Sequence, residues 1–167
     1  PEDEAKERWR NGRLLGASDG SGDFPREERL RRCGYALYYG EDHPWNLADP
    51  LAGQIQTVPR SELRIFLDII PRVQVPQTIL CDCLGVVKGM QQLLRGGAVY
   101  RDDHQDLWAV IGREIALMQD PQMLEVLWVK AHLTRSDLAA GRIDKDDFEL
   151  NEAVDINAKK VGKTFRP

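Results

Sequence analysis

Two apolar runs of strand length, Gln77–Asp82 (QTILCD) and Leu124–Val129 (LEVLWV), constrain the fold most, because helical periodicity both precedes and separates them. A run that stays apolar without alternating suits a strand covered on both faces. Strands joined through helices run parallel, with right-handed crossovers. Ahead of them, Arg13–Ser18 and Cys33–Tyr39 (CGYALYY) read as strands and Gln54–Thr57 as a short third, and these can pair as an antiparallel meander. Asp23–Arg32 is a polar interruption, and Glu41–Ala52, with Pro44, Asn46, Asp49 and Pro50, reads as a loop.

Pro59–Ile70 is predicted helical, with Leu63, Phe66, Leu67 and Ile70 on one face, Pro59 in the first turn and Pro71 ending it. Leu84–Leu94, stopped by Gly96-Gly97, and Gln105–Met118 are two further helices. Leu133–Glu149 reads as a charged loop before a terminal helix, Leu150–Gly162. The expected class is α/β: one domain with a mixed, five-stranded sheet, three antiparallel strands then parallel strands, flanked by helices. Residues 1–12 are expected to be a flexible or helical lead-in, 13–163 the domain and 164–167 a tail.

At 167 residues the chain is long enough to bury a core of its own. Its net charge of −4 does not suggest a nucleic-acid binder, whose usual footprint is basic. The exception is a protein whose clustered carboxylates lower the net charge until cations bind. Cys33, Cys81 and Cys83 are an odd set, read most simply as free thiols in a reducing, intracellular compartment, cytoplasm or nucleus. A zinc site built from Cys81, Cys83 and a histidine is disfavoured, since no paired CxxC occurs. No apolar run reaches membrane-spanning length and no signal-peptide core is seen, so no membrane is expected. Opening on proline rather than methionine suggests a fragment of a longer polypeptide or a processed product.

Acids at the ends of core elements are the unusual feature. Asp19 is expected to close the first strand and Asp82 the fourth; Glu62 sits in the first turn of a helix, and Asp155 lies beside the apolar stripe of the last one. Taken singly, each reads as a cap or turn residue; Asp82 could cap the following helix and Glu62 could favour a helix N-terminus. Four in one small domain allow a cluster, and clustered carboxylates repel each other unless cations intervene. Hard oxygen donors in that number suit Mg²⁺ or Mn²⁺ rather than zinc. Periodicity permits their convergence without establishing it.

Six blocks then resemble the ribonuclease H family, in the family's order from about Arg13 to Gly162. They are Ser18-Asp19-Gly20-Ser21 followed by Cys33-Gly34-Tyr35-Ala36; Thr57 with Arg60-Ser61-Glu62-Leu63; Cys81-Asp82 with Val86-Val87-Lys88-Gly89; Asp106-Leu107-Trp108; Trp128-Val129-Lys130-Ala131-His132; and Asn151-Glu152-Ala153-Val154-Asp155. Each tripeptide is weak alone, and their order is what carries the resemblance.

The resemblance implies that Asp19, Glu62, Asp82 and Asp155 hold two Mg²⁺ or Mn²⁺ ions. It implies that His132 assists proton transfer or product departure, and that Thr57, Gly20, Ser21 and Asn151 lie against substrate, with Thr57 holding a DNA phosphate. The implied activity is endonucleolytic hydrolysis of the RNA strand of an RNA–DNA hybrid, leaving 3′-hydroxyl and 5′-phosphate ends. The implied setting is a retroelement polyprotein with an adjacent reverse transcriptase domain. Trp108 and Trp128 are read as core aromatics.

Departures from the pattern bear on substrate rather than metal. Val58-Pro59 stand where two polar residues, often asparagines, commonly read the RNA minor groove, and Cys83-Leu84 replace a common serine and glutamine. The link Arg95–His104 is short and non-basic. The basic stretches, Arg26–Arg32 and Lys159–Arg166, are either solvated surface or phosphate contacts. The alternatives to the hybrid nuclease are a nuclease of the same fold with another nucleic-acid substrate, and a catalytically weak or inactive binding module.

Overall fold

In a computed structural model, residues 7–23 and 31–164 are described. A mixed sheet forms the centre: β1 (Trp9–Arg10), β2 (Arg13–Asp23), β3 (Arg32–Tyr38), β4 (Leu47–Pro50), β5 (Gln77–Cys81) and β6 (Leu124–Trp128). Its order is β4-β3-β2-β5-β6, with β1 attached to β2. β2 runs antiparallel to β3 (Asp19 opposite Ala36) and parallel to β5 (Ser18 opposite Cys81), and β5 is parallel to β6. The expected meander followed by parallel crossovers is therefore present, with one more strand. That strand belongs to the lead-in: Asn11 and Gly12 both take positive φ, the geometry of a tight hairpin turn joining β1 to β2.

Two expectations fail locally. The third strand is Leu47–Pro50, inside the presumed loop, whereas 54–57 forms no strand. β4 is an edge strand, where Pro50 loses no ladder bond, and its last three residues are exposed, so no alternation marks it. Gln56 does the work of a strand partner through its side chain: Oε1 accepts from Cys33 N at 2.8 Å while Nε2 donates to Leu51 O and Gly53 O, both at 2.8 Å. Second, Asp19 does not close a strand. β2 continues four residues past it to Asp23, and the strand that ends there is the neighbour, β5.

Helices α1 (Val58–Arg64), α2 (Phe66–Ile69), α3 (Leu84–Leu94) and α4 (Gln105–Ala116) contribute to one core, with Leu14, Leu37, Phe66, Ile79, Met90, Trp108 and Ile111 at its centre. The predicted helix 59–70 is thus two short helices ending in a 3₁₀ turn, Ile70–Arg72, and it buries Leu63, Ile65, Phe66, Ile69 and Ile70. The charged segment 133–149 holds a one-turn helix, α5 (Arg135–Ala139), opened by a capping box between Thr134 and Asp137. The terminal helix α6 (Lys145–Thr164) starts earlier than apolar periodicity indicates. Its opening turn carries Asp146 and Asp147, as the positive end of a helix dipole favours.

α6 covers the other sheet face. Leu150, Val154 and Ala158 pack on Leu15, Ala17, Ala36 and Leu80. Small residues allow that close approach: a methyl group on Gly34 would lie 2.8 Å from Val161 Cγ1. Trp108 is buried as expected, but Trp128 is 47% exposed. It stands at the end of edge strand β6, beyond the cover of α3, where its indole N–H donates to Asp82 O at 3.3 Å.

Candidate metal centre

The parallel pairing of β2 with β5 ends at Ser18 and Cys81, and the next residue on each strand is an acid. Asp19 stays in the ladder with β3, and Asp82 leaves β5 toward α3. Glu62 enters from α1, whose N-terminus is capped by the Thr57 hydroxyl accepting from Arg60 N at 3.3 Å. The helix can reach the strand because residue 20 is glycine. A Cβ there would strike Ser61 Oγ and lie 2.9 Å from Glu62 N. The outcome is that carboxylate oxygens of Asp19, Glu62 and Asp82 lie within 4.8 Å of one another.

Neither simple capping role applies. α3 has Cys83 as its N-cap, with no side-chain capping bond, so the Asp82 carboxylate is not spent there. Glu62 is 3% exposed and Asp19 2% exposed, which is not how helix-terminal or turn acids are usually placed. Asp19 Oδ1 accepts from Gly20 N at 2.9 Å, while Asp19 Oδ2 is buried without a hydrogen-bond partner.

Burial, then the repulsion of Asp82 and Asp155, raises the Asp19 carboxyl to about 8. Burial, then Asp19, pushes Glu62 well above the usual carboxylate range, and burial likewise raises Asp82. A desolvated oxygen with no donor, among acids that resist ionising together, fits a hard divalent cation. The thiols do not compete for that role. Burial raises Cys81, whose thiol donates to Glu62 Oε2 at 3.8 Å, and among the described residues no histidine joins Cys81 and Cys83 in a ligating group. All three cysteines are free.

Asp155 lies outside this trio but within hydrogen-bonding reach of Asp19. Burial would raise it; the contact with Asp19 and the Lys159 ammonium, 2.8 Å away, outweigh that and hold it below the usual range. His132 occupies a left-handed turn after β6 (φ 60°), and its charge acts on both Asp82 and Asp155. Asn151, one turn before Asp155, is half-buried, with its Oδ1 lacking a partner. Ser21 is engaged elsewhere: its hydroxyl donates to Ala158 O at 2.8 Å and ties β2 to α6.

Beside the trio runs a groove of about 1190 Å³, lined by Thr57, Val58, Arg60, Cys83, Arg101 and His104 among others. Arg60 crosses it to Asp106 (2.6 and 3.0 Å) and approaches His104 Nδ1 at 3.3 Å, and Arg60 in turn pulls the Asp106 carboxyl down to about 2. Arg101 lies over the Trp108 ring and donates to Gly85 O at 2.9 Å. The Arg60 and Arg101 contacts had no signal in the sequence, because their partners lie 46 and 16 residues away. The Lys159–Asp155 pair was legible as an i, i+4 spacing on a helix.

With the fold and this geometry in place, solved structures provide a comparison. The native protease–reverse transcriptase of prototype foamy virus superposes with a TM-score of 0.59 at 15% identity, covering 89% of this chain and 20% of that one. A foamy viral protease–reverse transcriptase structure with double-stranded DNA gives 0.58 at 17% identity, over 90% and 94%. The LC11 ribonuclease H1 in complex with an RNA/DNA hybrid gives 0.51 at 10% identity, over 90% and 96%. The chain has a ribonuclease H-like fold. It spans about a fifth of the length of the native protease–reverse transcriptase chain. No protein-family model matches the sequence, and no curated protein matches it. Among the described residues no helix is long and apolar enough to cross a membrane.

Proposed function

We propose that residues 13–163 form a metal-dependent endonuclease domain that hydrolyses the RNA strand of an RNA–DNA hybrid, with Asp19, Glu62, Asp82 and Asp155 as ligands of two Mg²⁺ or Mn²⁺ ions. One observation carries the reading: three carboxylates within 4.8 Å, with a buried, unpartnered oxygen on Asp19, at the edge where β5 ends. Asp19, Glu62, Asp82 and Asp155 would hold the ions, which would supply activation of a water and charge stabilisation at the leaving oxygen on phosphorus.

The protein's own part is placement. Asp19 is fixed in the central strand, Glu62 is brought to it by the contact at Gly20, and Asp82 is set by the end of β5. His132, on a strained turn beside Asp82 and Asp155, is suited to deliver a proton to the departing 3′ oxygen or to help the product leave. Thr57, at the head of α1, lines the adjoining groove, where it suits a phosphate of the DNA strand; Gly20, Ser21 and Asn151, outside that groove, remain candidates for substrate contact near Asp19 and Asp155. The likeness to foamy viral protease–reverse transcriptase supports a retroelement polyprotein and an adjacent reverse transcriptase domain as the setting.

A second reading keeps the chemistry and changes the substrate. Val58 and Leu84, 38% and 42% exposed, offer apolar side chains rather than amides, so their side chains make no hydrogen bond to a 2′-hydroxyl. Cleavage of matched RNA–DNA, RNA–RNA and DNA–DNA duplexes with Mg²⁺ and Mn²⁺ tests both. RNA-strand cleavage confined to the hybrid supports the first reading, comparable cleavage of another duplex supports the second, and metal-independent or absent cleavage overturns both.

A further inference from the structure

The four acids are not equivalent in what already neutralises them. Among the described residues, no ion pair reaches Asp19, Glu62 or Asp82, whereas Asp155 has a cation in place, Lys159 Nζ at 2.8 Å from Oδ2. The pairing is local and geometric: residues 155 and 159 are one turn apart on α6, acid before base, the orientation a helix favours. Lys159 also interacts with the charge of Asp19, so its ammonium addresses the cluster and not Asp155 alone.

Taking the metal centre proposed above as its basis, we infer that Lys159 is a built-in counter-cation at the Asp155 position. The centre then has one position open to a divalent ion, at Asp19, Glu62 and Asp82, and a second that fills only when Lys159 swings away. Both partners are partly solvated, with side chains 58% and 39% exposed, so the ammonium can leave for water without unfolding anything. The two ions therefore bind with different affinities and in a set order, the Asp155-side ion last. Lys159 is a positioning residue in this scheme and takes no part in bond breaking.

Mn²⁺ titration of the metal-free chain by calorimetry, with free Mn²⁺ followed by electron paramagnetic resonance, tests this at fixed pH. The native chain is expected to show a tight and a weak event. Lys159→Met should tighten the weak event about three- to fivefold, the scale of a partly exposed ion pair, and leave the tight event in place. Lys159→Arg should restore the native pattern. Unchanged weak binding in Lys159→Met would overturn the inference. So would an equal shift of both events, which marks a general loss of positive charge. Asp82→Asn, expected to remove the tight event, separates the two levels: if the native chain takes up no Mn²⁺, the metal centre fails and this inference with it, whereas two native events unmoved by Lys159→Met remove only Lys159.

Discussion

α6 meets acids at its start and again near its middle, and the two groups are opposites. At its start, Asp144, Asp146, Asp147 and Glu149 face the arginines of the N-terminal hairpin: Arg8 lies 2.8 Å from Glu149 and 3.4 Å from Asp146, and Arg10 lies 2.9 Å from Asp147 and 4.0 Å from Asp144. Further along, Asp155 joins Asp19, Glu62 and Asp82, which have burial and each other but no arginine. In the first group burial raises the Asp147 carboxyl, and Arg10 partly offsets it. Residue type is the same in both places; what differs is that, among the described residues, no ion pair reaches Asp19, Glu62 or Asp82, and only Asp155 has a cation, Lys159. Paired acids fasten the N-terminal hairpin to the last helix, whereas the buried carboxylates of Asp19, Glu62 and Asp82 crowd one another within 4.8 Å.

Removing an acid from each group should produce opposite results. Asp82→Asn is expected to lower hybrid cleavage by roughly a thousandfold, the several kcal/mol that metal-borne charge stabilisation supplies, and to leave the metal-free fold at least as stable. Asp146→Asn should leave cleavage at the native rate. Cleavage kinetics and thermal melts on both variants check this, and equal behaviour would erase the distinction.

The next effect is on pH and metal. Asp19 in the folded chain holds its proton to about 8, far above its ordinary value of 3.8. Between those values the folded state binds protons that the unfolded state has released, so stability must fall as pH rises from about 4 to about 8. The loss should be on the order of a few kcal/mol without metal, and millimolar Mg²⁺ or Mn²⁺ should flatten it. Urea unfolding at pH 5, 7 and 9, with and without the ion, reads this directly; a profile that rises with pH would mean that the cluster is not under strain.

Gly20→Ala should cost roughly 1–3 kcal/mol by forcing α1 from β2. It should also weaken the metal-induced rise in Tm, because Glu62 moves with the helix. The smallest change is expected at the start of α6. Arg10→Ala should cost about 1 kcal/mol or less, shrink further in high salt, and leave metal binding unaltered. A larger loss of metal binding there would join the two groups on α6 into one unit.

Sequence reading reached the centre of the molecule more readily than its margins. α3 matches its predicted limits, Leu84–Leu94, because a compact apolar face, an extended residue before it and glycines after it all agree. Gln77–Cys81 is buried at every position, which is why its unbroken apolar character was informative. β4 lacked such a signal, since an exposed edge strand needs no pattern, and Gln56 gave its neighbourhood the look of a strand while serving through its side chain. The Asn11-Gly12 hairpin was legible in principle, but two-residue β1 is too short to show alternation. Asp19, Glu62 and Asp82 could be nominated from expected places near element ends, although β2 continues past Asp19, and Asp155 from its place beside the apolar stripe of the last helix. That three of them share one small volume depends on β2 outrunning β5, which is a property of the register and not of either segment.

The contact at Gly20 also bears on how much change such a chain tolerates. The separation of Asp19 from Glu62 is set by a strand resting against the backbone of a helix, with Glu62 N beneath the place where a methyl group would be. Core side chains can be exchanged for others of similar bulk without altering a spacing fixed in that way. A chain of this kind can therefore rewrite most of its interior while this one dimension stays where a single missing methyl group puts it.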